Sequence, residues 1–324
     1  CGPLFIALAC AMTFPLVLVL MYGEFHQGPE TLEAFLLPAA LSLFLGIFLH
    51  KVLRARPLSR LHSALICSVG WLGFSAIGAL PFMIGIHSTY LDGFFEAMSG
   101  FTTTGITMFT GLDQMPKSIL FWRAMTQWVG GLGILTMFRL VAFRGGSPHK
   151  LFGAEGHKIN VDRPVPGLAN TIRVLFIIYA GFTCFIALAL FALGMPLFDS
   201  ICHSFTTLST GGFSPHDASI EYYRLSGYPN YVWFDYVITL GMLMGGTSFV
   251  IHYRVLKGSW KAWFDNIEAR YWWSLIGIFV ALILFERFVR VAPLAHISAT
   301  SLDFWRRLEE DFRLVLFQVV SILT

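Results

Sequence analysis

Two short stretches of the chain carry residue types that can strip water from a cation. Thr103, Thr104 and Gly105 stand in "SGFTTTGI" (99–106), and Ser209, Thr210 and Gly211 in "FTTLSTGG" (205–212). A dehydrated cation needs several oxygens at close range, and rings of backbone carbonyls can replace its hydration shell. Carbonyls line a narrow path only where the backbone leaves its ordinary geometry, which glycine permits without a side-chain clash. The threonines and serine beside each glycine are small and add hydroxyls. Thr102 and Gly212 flank the triplets, and Thr324 stands at a third, partial match. One such turn alone is a weak signal, because Thr and Gly are common in turns. Two in matching surroundings are far more specific.

Each triplet follows an apolar run too short to span a membrane, 91–101 and 197–208. Such runs suit re-entrant helices buried in protein partway through the bilayer. Asp92 and Asp199 are their expected N-caps. A helix ending at the turn directs about −0.5 elementary charge towards it, which favours a cation.

The surrounding composition demands a membrane. Of 324 residues, 56% are hydrophobic and only 13% charged, against about a quarter charged in soluble domains. Seven apolar stretches are long enough to span, near 3–22, 32–50, 62–86, 118–142, 171–194, 231–253 and 271–290. Lys and Arg concentrate in 51–60, 143–170 and 254–270, which predicts cytoplasmic loops there and a cytoplasmic amino end. The Arg-rich segment 287–313 departs from that rule.

The elements repeat: a span, a short helix, a Thr/Ser/Gly turn, a span. Superposing Gly105 on Gly211 sets an offset of 106 residues (211 − 105). The expected organisation is two N-terminal transmembrane helices (1–60), a first pore repeat (61–143), a cytoplasmic loop (144–170), a second pore repeat (171–254), a cytoplasmic loop (255–270) and an incomplete third repeat (271–324). The expected fold is an all-α membrane protein of helix–pore helix–filter–helix units.

The stretches "FFEAMSGFTTTGIT" (94–107), "LFWRAMTQWVGGLGI" (120–134), "FDSICHSFTTLSTGGFSPHDASI" (198–220) and "LFQVVSILT" (316–324) resemble the Trk/Ktr/HKT potassium transporter superfamily, and most of all its bacterial Trk membrane subunit. The resemblance runs nearly the whole length of the chain. It implies four repeats around one pore in a full chain, of which two are complete here and a third opens at Thr324. It implies a filter for potassium at Thr103, Thr104, Gly105, Ser209, Thr210 and Gly211, flanked by Thr102 and Gly212. It further implies potassium as the substrate with no covalent cofactor, a homodimer in the cell (inner) membrane, a cytosolic nucleotide-binding regulatory ring as partner, and no nucleic acid.

Several other residues have two readings. Arg123 and Arg139 lie near helix ends, where snorkelling to the interface is expected. Glu96 either attracts cations at the outer mouth or joins a buried pair. His203 is expected to pack or hydrogen-bond rather than couple protons. Gly130, Gly131 and Gly133, like the Gly241/Gly245 pair, suit close helix packing. The cysteines Cys1, Cys10, Cys67, Cys184 and Cys202 show no metal-ligand spacing. An intramembrane enzyme would need convergent polar residues at helical spacing, and none are seen. Uptake driven by membrane potential is the first reading. Symport with protons or sodium, and a non-conducting assembly subunit, stand as alternatives.

Overall fold

The computed structural model describes residues 2–26, 28–52, 60–133, 168–265, 267–291 and 302–324, and the regular elements among them are all helices. The run Gly2–Met21 is interrupted at Met12, giving α1 (Gly2–Ala11) and α2 (Thr13–Met21). It packs on α3 (Glu30–Val52) at a glycine crossing. A Cβ on Gly2 would lie 2.7 Å from the Gly46 carbonyl, and one on Gly46 would lie 2.9 Å from the Gly2 carbonyl. Small residues let membrane helices approach this closely. Ser42 Oγ adds a hydrogen bond to the Phe5 carbonyl at 2.7 Å.

The first pore-like unit comprises α4 (Arg60–Gly78), α5 (Leu80–Gly85), α6 (Tyr90–Phe101) and α7 (Lys117–Trp128). The break between α4 and α5 falls at Ala79, just before Pro81, whose ring is tolerated only in a first helical turn. A π-helical turn, Val129–Gly133, continues α7. The second unit comprises α8 (Leu168–Ala192), α9 (Leu197–Leu208), α10 (Glu221–Leu225), α11 (Tyr231–Gly246) and α12 (Phe249–Leu256). After α13 (Ala262–Asp265) come α14 (Ile267–Glu286), a π turn at Arg287–Val291, and α15 (Leu302–Leu323).

Five stretches among the described residues are long and apolar enough to cross a membrane: Gly2–Met21, Glu30–Val52, Ser68–Gly85, Arg173–Ala192 and Ile267–Val289. The seven expected spans differ from these in two places. The stretch 118–142 is described only as far as Gly133. The stretch 231–253 is a pair of helices, α11 and α12, bent by 101°. Thr247 and Ser248 are extended at the bend, with ψ of 140° and 126°. The break frees carbonyls at the end of α11, and His252 takes up that of Met244 at 2.9 Å. Most of the two expected inner loops 51–60 and 143–170, and Arg139 with them, lie outside the described residues.

The Arg-rich segment now has an account. Arg313 is buried and pairs with Asp235 on α11, and its Nε donates to Glu309 at 3.1 Å. Arg287 Nε donates to Asp311 at 2.8 Å. Two of the arginines therefore tie α15 to its neighbours, which a count of loop charges cannot register. The third short helix is also longer than the expected 312–324, because the polar stretch 302–311 continues it upstream as one helix.

The joints between units rest on a pair of glycines. A Cβ on Gly130 would overlap the Phe101 carbonyl at the end of α6, and one on Gly245 would lie 2.6 Å from the Leu208 carbonyl at the end of α9. The next residue in each pair faces the following unit: Gly131 against Ser209 Cβ at 2.9 Å, and Gly246 against Thr324 Cγ2 at 2.7 Å. Each post-turn helix is thus wedged between the end of its own short helix and the following unit, at Ser209 and at Thr324. One turn earlier the two units solve the same contact with opposite partners. Gly100 on α6 faces Thr126 on α7, whereas Thr207 on α9 faces Gly241 on α11. The sum of side chains is kept while the large one changes sides.

Gly100→Thr is expected to overpack this contact and cost about 1–3 kcal/mol. Adding Thr126→Gly copies the arrangement of the second unit and should recover most of that loss. Thermal unfolding of the purified protein in detergent, compared among the two single variants and the double, measures the coupling. Strict additivity would show that the two residues do not share one space.

Candidate functional site

α6 begins at a threonine N-cap, Thr89. Its Oγ1 accepts the Asp92 N–H at 3.2 Å, and its hydroxyl contacts Asp92 Oδ2 at 2.6 Å. Asp92 is therefore the third helical residue rather than the cap. α9 has Pro196 at its N-cap position with no side-chain cap, and Asp199 likewise stands third. Both expected caps sit one turn further in, where a carboxylate still favours the helix N-terminus. A capping aspartate and a first-turn aspartate look alike in sequence.

Both short helices end in the same left-handed turn. Thr103 N–H donates to Gly100 and Thr104 N–H to Ser99, each at 2.9 Å, while Thr210 N–H donates to Thr207 at 3.0 Å and Gly211 N–H to Thr206 at 2.9 Å. This is the Schellman pattern. Its left-handed residue is usually glycine, yet here it is Thr103 and Thr210, both at φ 55°. A β-branched residue there is a genuine outlier. It costs of order 1–3 kcal/mol and persists only when its surroundings hold it. A second left-handed residue follows two positions on, Gly105 at φ 78° and Gly212 at φ 81°.

The two turns therefore match at an offset of 107, not 106: Thr103 on Thr210 (210 − 103) and Gly105 on Gly212 (212 − 105). The expected superposition of Gly105 on Gly211 is corrected by one residue. Thr104 corresponds to Gly211, and Thr102 to Ser209, which close their helices through N–H bonds to Met98 (2.9 Å) and Phe205 (3.3 Å). Two adjacent glycines in the second turn concealed which one needs the left-handed region. The first-turn aspartates carried the signal, since 199 − 92 is also 107. Thr324 closes α15 in the same way, its N–H donating to Val320 at 3.0 Å.

Gly211 has a different reason to be glycine. A Cβ there would overlap the amide of Gln127, and a Cβ on Gly105 would overlap the Gly211 carbonyl. The two turns thus meet backbone to backbone, with Gln127 against them. Thr102 Oγ1 donates to the Met98 carbonyl at 2.7 Å and shares a hydrogen bond with Thr104 Oγ1 at 2.8 Å.

Arg123 does not snorkel. It is 1% exposed, and its Nε donates to Glu96 at 2.8 Å, its Nη1 to the Ser214 carbonyl at 2.9 Å and its Nη2 to Thr107 Oγ1 at 3.2 Å. The guanidinium lies 4.4 Å from the centre of the Phe213 ring. Glu96 is fully buried, and it also accepts the Met108 N–H at 2.9 Å and the Thr107 hydroxyl at 2.9 Å. Of its two readings, the buried pair is the one realised. Helix position alone suggested an interface for Arg123, but its acidic partner arrives from another helix. His203 is buried edge-on to Tyr223, with ring centres 5.8 Å apart.

Two contacts were not legible beforehand. Glu24, from the N-terminal helix pair, accepts the backbone N–H groups of Lys117 (2.6 Å) and Ser118 (3.3 Å), capping α7 where its own cap position is Pro116. His216 joins the loops that follow the two turns: Nδ1 meets Asp113 at 2.5 Å, and Nε2 meets Asp199 at 3.1 Å. Tyr222 stacks on its ring at 3.6 Å, and Tyr223 hydroxyl donates to Asp199 at 3.1 Å. Carboxylates at both ring nitrogens are satisfied only by the imidazolium, which donates from each.

Burial alone would lower the His216 pKa, but the hydrogen bonds and charges of Asp199 and Asp113 outweigh it and raise it above the usual 6.5. Slight burial would raise Asp113, yet the His216 hydrogen bond brings it below the usual 3.8. The histidine's contribution is complete below its unfolded value and is lost as pH rises through the raised one. The aspartate's is present above its unfolded value and is lost as pH falls through the lowered one. The melting temperature of the purified protein should therefore fall as pH rises above the usual histidine value, and His216→Gln should flatten that fall. An unchanged slope in the variant would refute the assignment.

The comparisons with known proteins agree with this architecture. The family model for TrkH, a cation transport protein, matches residues 40–321. The Trk system potassium uptake protein TrkH of Salmonella typhimurium is 36% identical over 225 residues, covering 68% of this chain and 45% of that protein. TrkH of Halomonas elongata is 29% identical over 341 residues, covering all of this chain and 64% of that protein. The crystal structure of the potassium transporter TrkH from Vibrio parahaemolyticus superposes with a TM-score of 0.77 at 28% identity, over 99% of this chain and 62% of that one. The chain thus spans between about half and two thirds of the length of these relatives. A helical membrane chain matched by the family model over most of its length is a member of the TrkH family of cation transport proteins and not an enzyme.

Proposed function

We propose that this chain contributes to potassium uptake, with the ion passing the turns Thr102–Gly105 and Ser209–Gly212 and a third turn that opens at Thr324. The observation that carries the reading is the doubled strain: two copies of one turn each hold a threonine and a glycine in the left-handed region, where ordinary loops would relax. Left-handed residues between ordinary ones can rotate successive peptide planes so that carbonyls face one side, the arrangement that replaces a hydration shell. The negative ends of α6 and α9 add favourable charge at the same place. Relatives described as potassium uptake proteins supply the identity of the ion.

A membrane potential of 100 mV is worth about 2.3 kcal/mol per charge, roughly a fiftyfold gradient, so uptake needs no chemical coupling. Symport with protons would need a titratable group free to act near the turns. Glu96, the acidic residue on α6 closest to them, is instead committed to Arg123. The remaining repeats, the homodimer and the cytosolic nucleotide-binding ring that gates uptake belong to the same proposal and rest on the family resemblance.

Rubidium uptake by the full-length protein, in cells lacking their own potassium uptake, tests the reading. Potassium should compete and sodium should not. Gly105→Ser, which puts a side chain into the Gly211 carbonyl at a left-handed position, should lower potassium-over-sodium discrimination by about tenfold, or about 1.4 kcal/mol. An unchanged ratio in a variant present at normal level would overturn the assignment of that turn.

A further inference from the structure

We infer that Gln127 and Arg123, one turn apart on α7, are positioning residues that hold the second turn in register with the first and so set ion discrimination at a place neither lines. The inference rests on the potassium-pathway reading and names the side chains that tune it. Gln127 is fully buried, and its Oε1 accepts the Phe213 N–H at 3.0 Å. Arg123 donates to the carbonyl of the next residue, Ser214, at 2.9 Å. Two consecutive residues, directly after left-handed Gly212, are therefore gripped from a helix that belongs to the other unit.

The grip is not generic helix packing. Gly130 and Gly131 match Gly245 and Gly246 at an offset of 115 (245 − 130), by their contacts with the short-helix ends and the following turns. At that offset Gln127 corresponds to Met242 and Arg123 to Ile238. The equivalent joint between the second and third units is apolar at both positions, so the polar pair belongs to this one joint. Its side chains also explain their surroundings. The Gln127 amide occupies the space that a Gly211 side chain would need, and Gly211 in turn abuts Gly105. Glu96 and Phe213 hold the guanidinium from two further directions. Moving Gln127 or Arg123 therefore moves 211–214, and through the Gly211 carbonyl it reaches the first turn.

Gln127→Met keeps the bulk and removes the acceptor, and Arg123→Lys keeps the charge but cannot span Glu96 and Ser214 together. Hydrogen exchange of the purified full-length protein is the first measurement. The segment 209–216 should exchange about fivefold faster in Gln127→Met, or about 1 kcal/mol, while 112–125 is unchanged. Unchanged exchange at 209–216 overturns the inference whether or not the protein transports. The second measurement is rubidium uptake per protein in the membrane, competed by potassium or sodium. Both variants should lower potassium-over-sodium discrimination by about fivefold while rubidium uptake persists. An equal fall in uptake of every ion, at an unchanged ratio, also overturns it, since that is the mark of lost stability alone. Wild-type protein that takes up no rubidium would instead defeat the potassium reading, and the exchange measurement would still decide whether Gln127 holds the turn.

Discussion

The architecture depends on bringing backbone against backbone at the carboxyl ends of the short helices. A helix that ends inside protein leaves carbonyls without intrahelical partners, and its neighbours must come close without smothering them. Gly130 and Gly245 allow that approach, and Gly131 and Gly246 carry the same helices onto the next turn. Because each glycine pair touches two successive units, the same contact sets both the pose of a turn within its unit and the spacing between turns. Gly105 and Gly211 then meet at the place these wedges define.

Buried charge holds the joints from outside that contact. Arg123 with Glu96, and Arg313 with Asp235, each link two helices within protein that lies largely out of water. Such pairs contribute little net stability over apolar replacements, yet removing one partner strands the other at a cost of about 3–5 kcal/mol. Their value is geometric. A guanidinium with several partners at fixed angles tolerates few arrangements of its neighbours, whereas an apolar joint tolerates many. At the α6–α7 joint the arginine also reaches the loop that follows the second turn, and at the α11–α15 joint Arg313 ties α15 to α11.

Strain is concentrated where this scaffold is tightest. Thr103 and Thr210 lie in a region of backbone space that threonine avoids, and both are held by Schellman hydrogen bonds, with Gly245 also against Thr210. Glycine at those positions would fit more easily. Keeping threonine retains a hydroxyl and a stiff β-branched side chain at the turn, and the packing around it absorbs the cost.

The sequence by itself determined the membrane class, the helical fold, the two short helices and the residues of both turns, because apolar run length and clustered Thr, Ser and Gly are local properties. It also placed the packing role of Gly241 and Gly245, since small residues four apart share one helix face. Tertiary structure alone decided the rest. The one-residue shift between Gly105 and Gly212 depends on which of two adjacent glycines is left-handed, and only the folded turn shows that it is Gly212, while Gly211 is kept free of a side chain by Gln127 from another helix. The burial of Arg123 depended on Glu96 27 positions earlier and on Ser214 91 positions later. The bend after Gly246, the cap that Glu24 supplies to α7 and the two carboxylates on His216 are likewise meetings of distant segments. Spacing along a chain reports what one helix can present. Which partner it meets is decided by how the helices cross.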